Sequence, residues 1–308
     1  MRVFLTGATG ALGRPTTRAL RAAGHDVRGV ARGPAKADLV RADGGEPVEV
    51  SLFDVDGLRD AMKGCDAVLH YATKVPPIGR ITRRAAAEND RLRREGSRCL
   101  VDAALTAGVG AYVQESVFFV YADGGDALLD EDAPLYPSWL SDSALDAERE
   151  TVRFARAGGR GIALRFGAFY APYALSTIET ARLARRGVFP VIGTGAQFFS
   201  SIHVDDAAAA SVAALGVPSG VYNVVDDEPL RYREYVEAVT GAVGRAASLR
   251  LPAWIVRTLL GEAAYIALLS RRLSNARFRA TAGWAPRAAS ARVGLPTVVR
   301  EILDRADA

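Results

Sequence analysis

Short apolar runs alternate with helical patterns over the first 170 residues, and this alternation restricts the fold more than any other feature of the sequence. The first unit is an apolar run at residues 3–6, a glycine-rich turn and a helical pattern at residues 11–23 that ends at Gly24. Five further strand patterns follow, with helical patterns between them. Because elements that alternate in this way form parallel sheets with right-handed crossovers, we expect an α/β fold, a Rossmann doubly wound parallel sheet.

The composition is that of an ordinary globular protein. Hydrophobic residues make up 49% of the 308 positions, enough for a large core, and no run of about 18 apolar residues could span a membrane. The net charge is +4, but arginines are interleaved with acidic residues and no nucleic-acid motif accompanies them. Cys65 and Cys99 lack metal-ligand spacing. We therefore expect a cytoplasmic protein that binds no nucleic acid, membrane or metal.

The glycine-rich turn, TGATGALG at residues 6–13, follows the first strand and opens the first helix. Its first glycine would permit the tight turn, its second would let the backbone approach a pyrophosphate, and its third would allow close packing of the helix, whose free N–H groups attract the anion. In this position the pattern predicts a dinucleotide-binding loop. The residues expected to contact the dinucleotide are Gly7, Thr9, Gly10, Ala11, Leu12, Gly13 and Arg14.

The residue after the second strand indicates which dinucleotide is bound. An acidic side chain there would bind the ribose hydroxyls of adenosine and would repel a 2′-phosphate. This chain has Arg32, which can make charge-assisted contacts to that phosphate with Arg14 or Lys36 as helpers. The sequence thus favours NADP(H) over NAD, with a solvated surface arginine as the alternative interpretation.

Five further stretches complete a family pattern. They are HYATKVPP at 70–77, AYVQESVFFVYAD at 111–123, LRFGAFYAP at 164–172, SSIHVDDAAAA at 200–210 and GVYNVVDDEP at 220–229. With the glycine-rich turn, and in this order, they resemble the extended and atypical short-chain dehydrogenases/reductases, which include nucleotide-sugar epimerases and dehydratases. The resemblance covers residues 1 to about 235 and is more specific for the family than for the reaction.

The resemblance implies further cofactor contacts and a division into two parts. Tyr71, Ala72 and Thr73 would run beside the cofactor, and Phe166, Gly167 and Phe169 would lie near the nicotinamide. We expect an NADP-binding Rossmann domain formed by residues 1–170 and about 200–225. A smaller C-terminal α/β lobe, about 171–199 and 226–308, would bind the substrate.

The catalytic residues of the family are absent. In the family a Ser or Thr lies four residues before the tyrosine of a Val-Tyr-Gly motif, and a Tyr-x-x-x-Lys pair precedes a helical Glu. Counting from Tyr121 places Val117 at the hydroxyl position, and counting from Glu148 places Leu140 and Ala144 at the tyrosine and lysine positions. No Tyr-x-x-x-Lys occurs anywhere in the chain. In the family this lysine lowers the pKa of the tyrosine and binds the nicotinamide ribose, so the usual proton donor is predicted to be missing.

Other polar residues near these positions are interpreted as structural. Ser141 and Ser143 would cap a helix, with Ser143 and Asp146 in a capping-box pattern. His203 lies two residues before the predicted N-cap of an alanine-rich helix, Asp205, and has no metal-ligand spacing.

An NADPH-dependent ketoreductase is the main functional hypothesis. The cofactor would supply the hydride, and the proton would come from Ser116, Tyr121, water, or a substrate phenol that is hydrogen-bonded to its own carbonyl. A polyketide ketoreductase type that reduces angucyclinone ketones similarly lacks the tyrosine and lysine, so we expect a bulky aromatic secondary metabolite as the small-molecule substrate. The predicted pocket residues are Lys74, Val75, Pro76, Ile78, Phe118, Tyr121, Trp139, Tyr170 and Phe198.

Two other functions fit the same sequence. A non-catalytic NADP-binding sensor or scaffold would keep the cofactor loop and lose the catalytic residues. A nucleotide-sugar epimerase would need a second phosphate site, for which the arginines at 182, 185 and 186 are available, although they also fit a solvated helix face. The helix at residues 83–98 corresponds to the dimerisation region of the family but is rich in arginine, which leaves monomer or homodimer open.

Overall fold

The strands include both a central sheet and several short pairs. A computed structural model of the protein describes residues 1–76, 81–136, 138–247 and 249–307. Within these ranges the strands, in chain order, are β1 (Arg2–Thr6), β2 (Asp26–Val30), β3 (Glu46–Val48), β4 (Ala67–His70), β5 (Ala111–Val117), β6 (Leu128–Leu129), β7 (Arg160–Phe166), β8 (Ala168–Tyr170), β9 (Val191–Ile192), β10 (Phe198–Phe199), β11 (Ser201–His203), β12 (Gly220–Val224), β13 (Leu230–Arg231), β14 (Arg250–Leu251) and β15 (Arg272–Leu273).

The central sheet is parallel and has the strand order β12-β7-β5-β4-β1-β2-β3. Its middle strands β4 and β5 are buried along almost their whole length, as expected for a parallel sheet covered on both faces. The chain starts in the middle at β1, builds outward to β3, and then returns to build the other half from β4 to β12. The predicted doubly wound Rossmann sheet is confirmed.

Helices follow most of the sheet strands and also form much of the C-terminal region. In chain order they are α1 (Gly13–Ala22), α2 (Pro34–Ala42), α3 (Val55–Ala61), α4 (Arg83–Arg91), α5 (Ser97–Thr106), α6 (Asp142–Arg156), α7 (Leu175–Arg185), α8 (Val204–Ala213), α9 (Tyr232–Ala242), α10 (Ala253–Leu260), α11 (Ala264–Leu268), α12 (Ala276–Ala282) and α13 (Ala291–Asp307).

Each face of the sheet has its own core. Leu20 of α1, Val40 of α2 and Ala207 of α8 pack on one face. Leu58 of α3 and Phe154 of α6 pack, with α5, on the other. Burial on both faces explains why the strands read as nearly continuous apolar runs.

The helical segment that begins at Arg83 contains a change of helical geometry. A π-helical turn, Leu92–Gly96, joins α4 to α5 without a break in the chain of helical residues. A π-helical turn inserts an extra residue into the helix and therefore rotates the side chains that follow. The direction in which the arginines of this segment point depends on that turn.

Outside the sheet, α7, α9 and α13 pack around a third apolar cluster that includes Leu230, Val239 and Leu295. Short strands in this region form three separate pairs, β8 with β11, β9 with β14 and β10 with β13. None of the helices in the described ranges combines the length and apolarity needed to cross a membrane.

Candidate functional site

A cleft of about 1740 Å³ runs along the carboxyl ends of the parallel strands. Residues at or just after the ends of β1, β2, β4, β5 and β7 line it. In doubly wound folds this edge, where the strand order reverses, is the usual position of the ligand site. Every residue predicted to bind the cofactor lies in the wall of this cleft.

The glycine-rich turn forms one end of the cleft in a conformation that side chains would obstruct. Gly7 has a φ of +70°, and a Cβ atom there would collide with the carbonyl oxygen of Tyr71. A Cβ atom at Gly13 would collide with the carbonyl oxygen of Gly7. The turn is closed by a hydrogen bond from Gly10 N–H to the Gly7 carbonyl oxygen (2.9 Å). Gly7 and Gly13 are therefore required by close backbone packing, and Gly10 is exposed beside the cleft.

The first turn of α1 has the features of an anion site. No side chain caps the helix at Leu12, and no acidic residue lies in the first turn. Thr9 and Ala11 line the cleft in front of these backbone N–H groups. A pyrophosphate would accept hydrogen bonds from the N–H groups and would be favoured by the helix dipole. The glycine cradle and the uncapped helix thus fit a dinucleotide.

Basic side chains surround the end of the cleft next to β2. Arg32 and Lys36 are exposed and line the cleft, and neither forms an ion pair with another described residue. Arg14 donates to Asp43 through Nε (2.7 Å) and Nη2 (3.2 Å), and Arg18 donates to the same carboxylate (2.7 Å). Burial raises the pKa of Asp43. Hydrogen bonds and charges from the two arginines lower it by more, so the pKa of Asp43 is below its ordinary value. Because Arg14 is already paired with Asp43 and Arg32 is paired with no described residue, Arg32 is the more available of the two to bind the 2′-phosphate.

The residues that follow β4 form the wall of the cleft next to the glycine turn. The Tyr71 side chain points into the core and contacts Phe166 edge to face, with ring centroids 6.2 Å apart. Burial raises the pKa of Tyr71, so it stays protonated. Ala72 and Thr73 continue along the cleft, and the half-buried Phe169 packs against Phe166. Tyr71 therefore contributes its main chain to the cleft, and its phenol is directed away from it.

The positions of the missing catalytic pair are filled by apolar side chains. Leu140 is half-buried and lines the cleft where the family has tyrosine. Ala144, one turn further along in α6, is fully buried. Val117, at the hydroxyl position, also lines the cleft at the end of β5. These three side chains offer no proton donor.

Ser116, the proposed alternative donor, belongs to a buried hydrogen-bond network. Its Oγ donates to Glu148 Oε1 (2.5 Å), and Arg165 binds both oxygens of Glu148 through Nε (2.8 Å) and Nη2 (2.7 Å). Arg165 Nη1 also donates to the Tyr121 hydroxyl (2.8 Å), which donates to Asn223 Oδ1 (2.7 Å). Burial raises the pKa of Tyr121 to about 12. Ser116 lines the cleft, but its hydroxyl is bound to the Glu148 carboxylate. Tyr121 is fully buried and outside the described lining of the cleft.

The structure corrects four of the nine predicted pocket residues. Tyr121, as described, is a core residue. Tyr170 is also fully buried and is hydrogen-bonded to Asp226 Oδ2 (3.3 Å). The Arg83 guanidinium lies over Trp139, 5.2 Å from the centroid of the tryptophan ring. Phe198 packs beneath the guanidinium groups of Arg231 and Arg272. None of the four is in the described lining of the cleft.

Lys74 is one of the predicted pocket residues that do line the cleft. Its backbone N–H donates to Asn89 Oδ1 (2.8 Å), and its side chain is exposed. Val75, Pro76 and Phe118 line the cleft as well. Ile78 lies outside the described residues. The arginines at 182, 185 and 186, considered for a second phosphate site, are outside the described lining.

The predicted helix caps are only partly correct. Ser141 occupies the position before α6, but its Oγ donates to the carbonyl oxygens of Tyr136 and Ser138 rather than capping the helix. Ser143 Oγ is buried and has no hydrogen-bond partner among the described residues, so the predicted capping box does not form there. The N-cap of α8 is His203, whose Nδ1 accepts from Asp205 N–H (3.2 Å). His203 therefore has a structural role, as predicted. It caps α8, which was the role predicted for Asp205.

Sequence reasoning missed several residues of the cleft. Ser51 to Asp54, after β3, line it beside the basic residues, and Ile266 lines it from the C-terminal region. Arg93 and Glu115 contribute a buried ion pair. The glutamate in the predicted strand AYVQESVFF was the available signal for this pair, because a buried carboxylate requires a partner.

Comparison with known proteins decides the family. The model of the NAD dependent epimerase/dehydratase family matches residues 3–224, which extend from β1 through β12. The chain belongs to this family. The resemblance predicted from the motifs is confirmed, and the matched segment includes every strand of the central sheet in the described structure.

Two similar proteins have names that state the type of reaction they carry out. A 3-diazoavenalumate denitrifying reductase from Streptomyces sp is 35% identical over 308 residues, which cover 96% of this chain and 99% of that protein. A 4-hydroxy-2-methyl-3-oxo-4-farnesyl-3,4-dihydroquinoline-1-oxide ketoreductase from Stigmatella aurantiaca is 29% identical, covering 87% of this chain and 82% of that one. With the family assignment, these relatives make the chain an NAD(P)-dependent oxidoreductase.

Solved structures of the family support the fold. Human epimerase family protein SDR39U1, solved with NADPH, has a TM-score of 0.82 and 24% identity to this chain, with coverage of 97% of this chain and 99% of that one. This similarity agrees with the parallel sheet and the helices on both of its faces.

Proposed function

We propose that this protein is an NADPH-dependent reductase that transfers hydride to an aromatic small molecule without using a protein acid. The observation that carries the proposal is the replacement of the tyrosine and lysine by Leu140 and Ala144, together with the attachment of Ser116 to Glu148. Bound NADPH would supply the hydride. The residues of the chain would bind the dinucleotide, orient the substrate and exclude water.

The preference for NADPH over NADH rests on the basic end of the cleft. Arg32 stands where an acidic residue would select NAD, and it has no competing ion pair among the described residues. Its guanidinium can bind a 2′-phosphate through charge-assisted hydrogen bonds. Lys36 adds a second positive charge at the same end.

The other end of the cleft suits a flat apolar substrate. Phe118, Phe119, Leu140, Phe169 and Ile266 line it. Apolar and aromatic walls of this kind bind aromatic rings by burying their surface, and a few polar groups set the orientation. Lys74 is an exposed cation at the wall of the same cleft and can meet an acidic substituent.

An aromatic ketone with a neighbouring phenol is the first candidate substrate, and the ketoreductase relative supports it. Hydride transfer to the carbonyl carbon breaks the C=O π bond and leaves an alkoxide that must gain a proton. In such a substrate the phenol is hydrogen-bonded to the carbonyl oxygen and can deliver its proton to that oxygen. The phenolate then recovers a proton from water, and the protein needs no acid of its own.

A diazo-substituted aromatic compound is the second candidate, favoured by the diazo compound in the name of the 35% identical reductase. An aryl diazonium group is already cationic, so hydride addition to its terminal nitrogen gives a neutral aryl diazene. The diazene loses N₂, and its hydrogen remains on the ring carbon. Because hydride neutralises the cation, this reaction also needs no protein acid.

The test uses purified protein and follows NADPH oxidation by its near-ultraviolet absorbance. The panel contains an ortho-hydroxyaryl ketone, its O-methyl ether and a diazotised aminophenol, and a reaction without protein is the control for spontaneous reduction. We expect turnover of the hydroxyaryl ketone, of the diazonium compound with release of N₂, or of both, and little turnover of the methyl ether. Tight NADPH binding with no oxidation in the presence of any compound would refute the proposal and would favour the sensor or scaffold.

A further inference from the structure

A buried ion pair, Arg93–Glu115, lines the cleft and has no role in the reaction described above. Arg93 is 2% exposed and Glu115 is 8% exposed. Arg93 Nη2 donates to both carboxylate oxygens of Glu115 at 3.2 Å. A single nitrogen shared between two oxygens is a weaker arrangement than two parallel hydrogen bonds, and it leaves most of the guanidinium available.

The guanidinium of Arg93 is incompletely satisfied. Its Nε is buried and has no hydrogen-bond partner among the described residues. A buried charged group without its hydrogen bonds is costly, so such donors are normally paired unless they serve a ligand. Arg93 also lies in the π-helical turn between α4 and α5, and single π-helical turns occur frequently at functional sites. Two independent features of Arg93 therefore indicate a binding role.

The pair lies beside the positions of the missing catalytic residues. Glu115 directly precedes Ser116 and Val117 in β5. The helix α6, which carries Ala144 at the former lysine position, packs against the π-helical turn. Arg93 supplies a positive charge near that position, and it is both buried and part of the cleft lining.

We propose that Arg93 and Glu115 form a hydroxyl-binding site in the nicotinamide half of the cleft, where Arg93 Nε donates a hydrogen bond to a hydroxyl oxygen and Glu115 accepts one from a hydroxyl group. A vicinal diol such as the nicotinamide ribose fits this donor and acceptor. The pair thereby replaces the ribose contact that the missing lysine would make. A phenol of the substrate presents the same chemistry and is the other source of the hydroxyl. This inference rests on the proposed function, since it takes NADPH as the dinucleotide.

Equilibrium binding separates the inference from catalysis. Arg93→Gln, Glu115→Gln and the double variant Arg93→Met/Glu115→Leu are titrated with NADPH and with adenosine 2′,5′-bisphosphate, which lacks the nicotinamide ribose. The double variant guards against misfolding, because replacing both partners of a buried pair by apolar groups avoids an unpaired charge. Arg98→Gln is the matched control, since Arg98 is an exposed arginine on α5 outside the described lining of the cleft. Thermal unfolding establishes that each variant is folded.

We expect the folded variants to bind NADPH about 10- to 100-fold more weakly, the effect of losing a hydrogen bond to a charged group. Binding of adenosine 2′,5′-bisphosphate should be unchanged, and Arg98→Gln should bind both ligands like the unmodified protein. Unchanged NADPH affinity with a raised KM for phenol-bearing substrates would assign the hydroxyl to the substrate. Unchanged NADPH affinity and unchanged KM would overturn the inference, as would an equal loss of affinity for both nucleotides. None of the binding results depends on turnover, so a failure of the proposed function would be recognised separately.

Discussion

Replacement of Arg32 by glutamine tests the cofactor preference most directly. Arg32 is exposed, lines the cleft after β2, and forms no ion pair with another described residue. Its removal should therefore leave the folded structure intact. The substitution keeps a polar side chain and removes only the positive charge, so a change in binding reports on the contact between that charge and the dinucleotide.

The expected magnitude follows from the exposure of the side chain. A hydrogen bond to a charged group contributes about 1.5–3 kcal/mol, and solvent screening at an exposed site reduces this contribution. We take about 1–2 kcal/mol for Arg32, which corresponds to about a 5- to 30-fold increase in the Kd for NADPH. NADH lacks the 2′-phosphate, so its Kd should remain within about twofold.

Fluorescence titration of each dinucleotide at a fixed ionic strength measures both constants, since salt screens exposed charges. Arg41→Gln is the control, because Arg41 is an exposed arginine of α2 that is paired with Asp38 (2.7 Å) and lies outside the described lining of the cleft. A parallel loss of NADH affinity in Arg32→Gln would show that the residue supports the loop rather than the phosphate. No loss of NADPH affinity would place the phosphate elsewhere. Either result would refute the reasoning.

Three further substitutions test the site and its support. Gly13→Ala places a Cβ atom against a backbone oxygen of the glycine turn, so we expect a lower Tm and at least about a 10-fold loss of NADPH affinity. Gly241→Ala is the control: a Cβ atom there meets nothing, so NADPH affinity should be unchanged and the Tm unchanged or slightly raised. Leu140→Tyr places a phenol in the cleft and should raise kcat for the O-methylated ketone by about 10-fold or more without helping the diazonium compound; unchanged ketone turnover would argue against a missing acid as the limit. Asp226→Asn should raise the Tm at neutral pH. Burial raises the pKa of Asp226 well above its ordinary value, so its stabilising contribution is complete below about pH 4 and is lost as the pH rises through the folded-state pKa. Thermal unfolding between about pH 5 and 8 should therefore show a weaker pH dependence in the variant, and parallel Tm profiles would contradict this account.

The fold and the cofactor loop could be predicted because their signals are local. Most sheet strands contain an apolar run bounded by turn residues, and two glycines of the turn meet a steric requirement within a few residues or against the next strand. Gly7 needs a positive φ, and Gly13 has no room for a Cβ atom. Such requirements do not depend on distant parts of the chain.

The substrate contacts were harder to predict because they depend on the face to which a side chain points. Phe169 lines the cleft, while its neighbour Tyr170 points into the core and binds Asp226. Successive residues of a strand point to opposite faces, so both aromatics fit the same pattern until the packing partners are known. Tyr121 was also assigned to the pocket, as a possible proton donor, although Arg165 and Asn223 hold it in the core.

Arg93 could not be distinguished from its neighbours by sequence. Arg91, Arg93 and Arg94 look alike within an arginine-rich helix, and regular helical spacing gives no reason to bury the second of them. The π-helical turn changes the side-chain register within this segment, and Arg93 is buried while Arg91 and Arg94 are exposed. The partner, Glu115, lies on a strand 22 residues away. The contact is a product of tertiary packing.

The way in which the catalytic pair was lost restricts the chemistry of the site. A reductase that took its proton from a bound water molecule would need polar groups at the former tyrosine position to hold that water, because an ordered water makes about three hydrogen bonds. Leu140 is apolar, Ala144 is buried, and the Ser116 hydroxyl is already bound to Glu148. The Arg93–Glu115 pair beside this position is a poor proton donor, since guanidinium does not deprotonate near neutral pH. We therefore propose that the proton arrives with the substrate, or that the acceptor needs none, and both candidate substrates meet this condition.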